Sequence, residues 1–292
     1  MKHVKQPDNT VSASERNPTE KHVFLAKNMF FGILCYTSMV LYFFNIIPLW
    51  GMIIANVLFY IRAYLRMHDL THGFSFKTLT ARFVPTLFYG HPVWGGVTAF
   101  MTTHLEHHRF LGTDRDPWLY YYVGHPLQAL FFNMIEPEVN LYNYIKWHGV
   151  NRKLFENIAF DIAKMVIHLL IFQGAYLAYM IVQRVCHGTG VFLFNFFQHR
   201  ENFRADSAIG SFNREAPLRP YAPWIRMFWG KALTEAAFYH NRHHVLKQMH
   251  EPSHRYVLLS DEGKQTLYND NWPLTEIQHL NMNKTTIKES AA

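Results

Sequence analysis

Nineteen of the 292 residues are histidine, and nine of them fall into short groups at helical spacing. The groups are His68-Asp69-Leu70-Thr71-His72, His104-Leu105-Glu106-His107-His108, Asn195-Phe196-Phe197-Gln198-His199 and His240-Asn241-Arg242-His243-His244. Positions i, i+3 and i+4 share one face of a helix, so each group would present its imidazoles together. Two occurrences of His-x2-His-His beside a His-x3-His are too specific for coincidence. Solvated histidines explain them badly, because clustered imidazoles repel when protonated and need partners when buried. Bound metal is such a partner, and neutral imidazole suits iron, copper, nickel and zinc. Zinc closes at four ligands or keeps three plus water. Nine nitrogens therefore call for two ions of higher coordination, with positions left for water or dioxygen. A pair of irons fits best, and imidazole preference alone leaves copper open.

Two carboxylates lie inside these groups. Glu106 points roughly 160° away from the His108 side of its helix, so it does not read as a bridging ligand. Asp69 faces away from the His68/His72 stripe and is better placed to hold an imidazole N–H of another group.

The elements that must carry these groups are apolar. No Asp, Glu, Lys, Arg or His occurs between Lys27 and Arg62, a run longer than the roughly 20 residues one helix needs to cross a bilayer. Asn45, Pro48 and Gly51 break it, which predicts a helical hairpin with spans near 29–46 and 51–67. Pro cannot donate to a continuing helix and Gly tolerates positive φ. A second apolar region, from about Ile158 to His199, carries Asp161, Lys164, His168, Arg184 and His187. His199 can reach the other groups only if this region crosses and returns, which puts two more spans within 155–199. The turn falls at Gly174 or at Gly188–Gly190. Residues 83–103 carry no Asp, Glu, Lys or Arg but are interrupted by Pro85, Gly90, Pro92, Gly95 and Gly96, so a re-entrant or interfacial segment is expected. Residues 1–27 and 259–292 read as polar tails around a membrane domain over 28–258. Two cysteines exclude a disulfide framework and a four-cysteine cluster. Basic residues flank the first hairpin at both ends (Lys2, Lys5, Arg16, Lys21 and Lys27 before it; Arg62, Arg66, Lys77 and Arg82 after), which places both ends, and with them the histidine groups, in the cytoplasm.

The order HDLTHG, HLEHH, HNRHH over roughly 60–250 resembles the membrane fatty acid desaturase superfamily, non-haem di-iron enzymes with three histidine boxes. Asn195-x3-His199 is similar to the site in acyl-CoA desaturases, where the histidine is a ninth ligand and the asparagine reaches iron through water. The resemblance implies His68, His72, His104, His107, His108, His199, His240, His243 and His244 as iron ligands, with Asn195 water-mediated. The run from Arg109 to Pro117 is similar to that of bacterial desaturases and carotenoid ketolases, and implies that Asp114 and Asp116 orient ligand histidines or cap a helix.

The fold implied is all-α and integral to the membrane: four transmembrane helices, as two hairpins, under a helical cytoplasmic cap carrying the boxes. The activity implied is dioxygen-dependent attack on an unactivated C–H bond of a lipid-like chain, with desaturation expected. A carotenoid or terpenoid hydroxylase or ketolase, or an alkene-forming decarboxylase, could use the same centre. A haem-binding or metal-carrying membrane protein is the rival of a different class; bis-histidine haem needs single facing histidines rather than adjacent pairs. No His-Pro-Gly-Gly motif and no fused cytochrome b5 domain occur, so the expected donor is a separate ferredoxin- or cytochrome b5-like protein. The net charge of +7 suits such an acidic donor or anionic headgroups, and nucleic acid is not an expected partner. Trp118–Tyr122 and Phe131–Phe132 are expected to line an apolar substrate channel. Length and motifs place the chain nearest bacterial members, in the inner membrane with both termini cytoplasmic.

Overall fold

The computed structural model describes residues 18–71, 78–110, 115–199 and 223–230. Every regular element among them is helical: α1 (Pro18–Phe43), α2 (Leu49–Thr71), α3 (Leu79–Phe83), α4 (Gly96–Phe110), α5 (Pro126–Met134), α6 (Glu136–His148) and α7 (Arg152–His199), with short 3-10 turns at Val84–Thr86 and Leu119–Tyr121. Residues 223–230 are also helical.

The expected first hairpin forms. Asn45 takes a positive φ of 57°, which its short polar side chain tolerates, and α2 returns antiparallel along α1. Asn28 donates to the Ala63 carbonyl at 2.9 Å and Asn56 to Ser38 Oγ at 3.3 Å, while Phe31 stacks on Phe59. α1 begins at Pro18, so residues 18–27, expected in the tail, are helical instead. No acidic or proline break separates them from the apolar run that follows. α2 likewise continues four residues beyond the expected span, to Thr71.

α7 has two limbs. Gln173 leaves helical geometry at φ 47°, ψ −124°. The ring of His168 then stacks on Tyr176 at 5.1 Å, and Tyr36 touches both His168 and Tyr179. In a straight helix residues 168 and 179 would be about 16 Å apart along the axis. The chain therefore folds back at Gln173–Gly174. The other turn considered, at Gly188–Gly190, is continuous helix. Those glycines serve close packing: a Cβ on Gly188 would lie 2.8 Å from the Met134 Cα. The two hairpin tips meet, with Phe43 and Phe172 rings 5.2 Å apart.

The polarity of the bundle is inverted. Leu170 is 75% exposed and Ile181 66%, whereas Asp161, Lys164, Gln183, His187 and Asn195 of the same helix are buried. Helices over His22–Phe43 and Arg152–Phe196 are long and apolar enough to cross a membrane. Such a surface is costly in water and ordinary in lipid. Residues 84–95 enter the bundle as irregular backbone, and side chains of α7 satisfy them. Lys164 donates to the Thr86 carbonyl, Tyr179 to that of Phe88 and Tyr176 to that of Gly90, while the Gly90 N–H donates to Gln183. Non-helical backbone away from water requires such partners.

Candidate metal centre

The buried end of α2 and the middle of α4 carry the centre. His68 sits in the last turn of α2, and His104 and His107 lie on the inward face of α4; all three are buried. The His68 and His104 rings meet edge to face at 4.4 Å, and His104 and His107 are 6.2 Å apart. Imidazoles from separate boxes thus converge.

A packed wall holds them. Phe100, one turn before His104, stacks on it at 5.8 Å and 7°. Trp118 lies 4.7 Å from His104 and stacks on His107 at 4.8 Å and 20°. The Trp118 indole N–H is fixed by Asn140 Oδ1 at 3.0 Å, which also accepts from Thr103 of α4.

Asp116 lies against His107. Its carboxylate lies 2.8 and 3.0 Å from His107 Nδ1, and it accepts from the Trp118 amide and the Tyr122 hydroxyl. A carboxylate on Nδ1 keeps the hydrogen there and leaves Nε2 as the coordinating nitrogen. Among the described residues Asp69 meets no histidine of another box. It pairs with Arg66 at 2.8 Å and lies 3.6 Å from Nδ1 of its neighbour His68. Asn195, buried on α7, donates to Asn133 Oδ1 at 3.0 Å.

His72, Asp114, His240, His243 and His244 lie outside the described residues, as do the side chains of His108 and His199. Among the described residues no three His, Cys, Asp or Glu side chains make a complete ligand set. The donor chemistry still fits a di-iron group: buried imidazoles from two boxes, one of them oriented by a carboxylate.

Sequence reasoning missed two residues of this region. Glu136 is buried and accepts from Tyr64 at 2.9 Å and Asn140 at 3.3 Å. In the sequence it signals only an acidic first turn before Pro137. Trp118 was expected in a channel wall, with no sign that it would stack on ligands. Of the other channel candidates Tyr121 and Tyr122 are buried, whereas Tyr120 and Phe131 face outward at 53% and 58% exposure.

A sequence model of the family described as Fatty acid desaturase matches residues 44–278. The chain belongs to the fatty acid desaturase family. No curated protein and no solved structure gives a significant match. Family membership makes this desaturase-family chain an oxidoreductase of lipid metabolism, of a kind that uses dioxygen at a di-iron centre in association with membranes. His68, His104, Asp116 and Asn195 all fall inside the matched segment.

Proposed function

We propose that the protein is a multi-pass membrane desaturase that removes two hydrogens from a fatty acyl chain, with dioxygen as co-substrate. The observation that carries this reading is the convergence of His68, His104 and His107 at the buried head of the bundle, with Asp116 on His107 Nδ1. We assign two irons to His68, His72, His104, His107, His108, His199, His240, His243 and His244, with Asn195 acting through water. Bound there, a di-iron group supplies the oxidising power for hydrogen abstraction from an unactivated C–H bond.

The chain's own residues do the rest. Asp116 fixes the tautomer of His107, and Trp118 and Phe100 keep the imidazoles in place and shed water from them. The four antiparallel limbs read as four spans over a membrane domain that now begins near Pro18, the boxes lying at the cytoplasmic face. A bacterial inner membrane suits the length and the motifs. The basic balance suits an external ferredoxin- or cytochrome b5-like donor.

Lipid extracts of cells expressing the protein, compared with a His107→Ala control, test this. New double bonds in acyl chains are expected only with the parent sequence. Unchanged acyl chains beside oxidised pigments would move the assignment to a ketolase or hydroxylase, and a chain-shortened alkene to a decarboxylase.

A further inference from the structure

Below the histidine centre, toward the middle of the bundle, lies a chain of buried titratable groups that no ligand assignment uses. The Tyr60 hydroxyl is 2.5 Å from His91 Nε2 and 3.0 Å from His187 Nδ1. His187 Nε2 is 2.7 Å from Glu136 Oε2, an ion-pair contact too bent for a straight hydrogen bond. His91 Nδ1 faces the Pro92 carbonyl at 3.1 Å. Tyr60, His91, His187 and Glu136 are each no more than 2% exposed.

Hydrogen counting restricts what this chain can hold. A carbonyl only accepts, so His91 Nδ1 carries a hydrogen. Glu136 accepts from Tyr64 and Asn140 and faces His187 Nε2; as a carboxylate it requires a hydrogen on that nitrogen. Tyr60 has one hydrogen to give and two imidazole nitrogens beside it. If it donates to His187 Nδ1, His91 Nε2 must donate to it, and His91 is the cation. If it donates to His91 Nε2, His187 Nδ1 must donate to it, and His187 is the cation. The two arrangements use the same bonds and differ by one proton hop. The neighbouring cations are hydrogen-bonded elsewhere: Arg184 is held by Glu138 and the Met134 carbonyl, Lys164 by Asp161 and the Thr86 carbonyl.

The same side chains line a small cavity with Tyr64, Met67 and Phe100. Met67 precedes His68, and Phe100 stacks on His104, so the cavity lies directly beneath the proposed centre.

We propose that His91, Tyr60, His187 and Glu136 share one mobile proton and relay it to this cavity, as positioning and proton-holding residues for the oxidation above. In each hop the His91 Nε2–H bond breaks as a Tyr60 O–H bond forms, and the original Tyr60 O–H breaks as His187 Nδ1–H forms. Two hydrogens shift in concert, the net transfer is one proton from His91 to His187, and no electron moves. The use of the relay rests on the desaturase reading. Dioxygen becomes two waters by taking two hydrogens from the substrate, two electrons from the external donor and two protons, and this chain holds a proton beside the centre where the bundle excludes water.

The test compares the full-length parent with Tyr60→Phe and His91→Gln, each in iron-free and iron-loaded form. In iron-free protein labelled with ¹⁵N-histidine, parent spectra are expected to show one imidazolium averaged between His91 and His187. Y60F should localise it on one ring. Two neutral rings of fixed tautomer in the parent would overturn the proposal without touching the desaturase reading. In iron-loaded protein, Y60F should keep its iron, yet lose at least threefold in product per dioxygen consumed, with the difference released as peroxide. It should also change the solvent deuterium effect. Should Y60F not accumulate, H91Q carries the same readings. Coupling and isotope effect equal to the parent in a folded, iron-replete variant would sink the relay. A parent that binds iron but oxidises no lipid would sink the function instead, and the ¹⁵N result would still judge the shared proton.

Discussion

At the scale of single residues, the proposed centre would depend on groups that are not themselves assigned as ligands. Asp116 touches only His107 among the described imidazoles and is itself held by the Trp118 amide and the Tyr122 hydroxyl. Outer partners of this kind commonly change metal affinity 10–100-fold. Asp116→Asn is therefore expected to lower iron retention by about that factor while leaving helix content unchanged, read as iron per protein after dialysis against a chelator. Asp69→Asn is the informative contrast. Its carboxylate is engaged by Arg66 and stands 3.6 Å from His68, beyond hydrogen-bond reach, so its loss of iron should be several-fold smaller. Equal losses would mean that Asp69 orients His68 as Asp116 orients His107. The contact of Asp116 with His107 spans only nine residues, and the run after the second box pointed to a histidine contact or a helix cap. The role of Glu136 was not legible, because its partners Tyr64 and His187 lie 72 and 51 residues away in sequence, and only tertiary packing brings them together.

At the scale of elements, the helices were legible wherever charge was absent and ambiguous wherever glycine had two uses. The run from Lys27 to Arg62 announced the first hairpin because nothing but lipid or a large core accepts a helix apolar all round. In the second, Gly174 and Gly188–Gly190 carry the same local signal. Only the structure separates a reversal from close contact between α7 and its neighbours. Gly188→Ala makes the difference measurable. Its Cβ would meet Met134 backbone, which no side-chain rotation relieves, and overpacking of this kind costs about 1–3 kcal/mol. Gly174 has nothing within 4 Å of that position and no positive φ, so Gly174→Ala should leave the melting temperature in detergent unchanged. A second element-scale prediction concerns Lys164, which ties the first limb of α7 to the irregular segment through Thr86 and is paired with Asp161 at 3.1 Å. Removing one partner of a buried pair typically costs 3–5 kcal/mol, whereas removing both can be nearly neutral. Lys164→Ala should lower the melting temperature sharply, and the double substitution Lys164→Met with Asp161→Asn should recover much of the loss.

At the scale of the whole molecule, the two ends of the bundle differ in chemistry. One end holds the paired tips, Phe43 against Phe172, with Asn45 and Gln173 at the reversals. The other holds His68, His104 and His107, and on this side Arg82, Arg152 and Glu156 form a charged link. Between Leu49 and His68 the helix rises about 29 Å, the thickness of a bilayer core. We propose, from the basic residues concentrated at the histidine end, that this end faces the cytoplasm. That orientation has a direct consequence for membrane-impermeant thiol reagents in a background where Cys35 and Cys186 are replaced by serine. Ile46→Cys and Gly174→Cys, one at each tip, should be labelled from outside intact cells. Val150→Cys, exposed in the connection between α6 and α7, should be labelled only after the membrane is opened. Labelling of Gly174→Cys from the cytoplasmic side alone would mean that the second limb does not cross. The fold-back at Gln173 would then be a loop within one leaflet, and His199 would need another route to the centre.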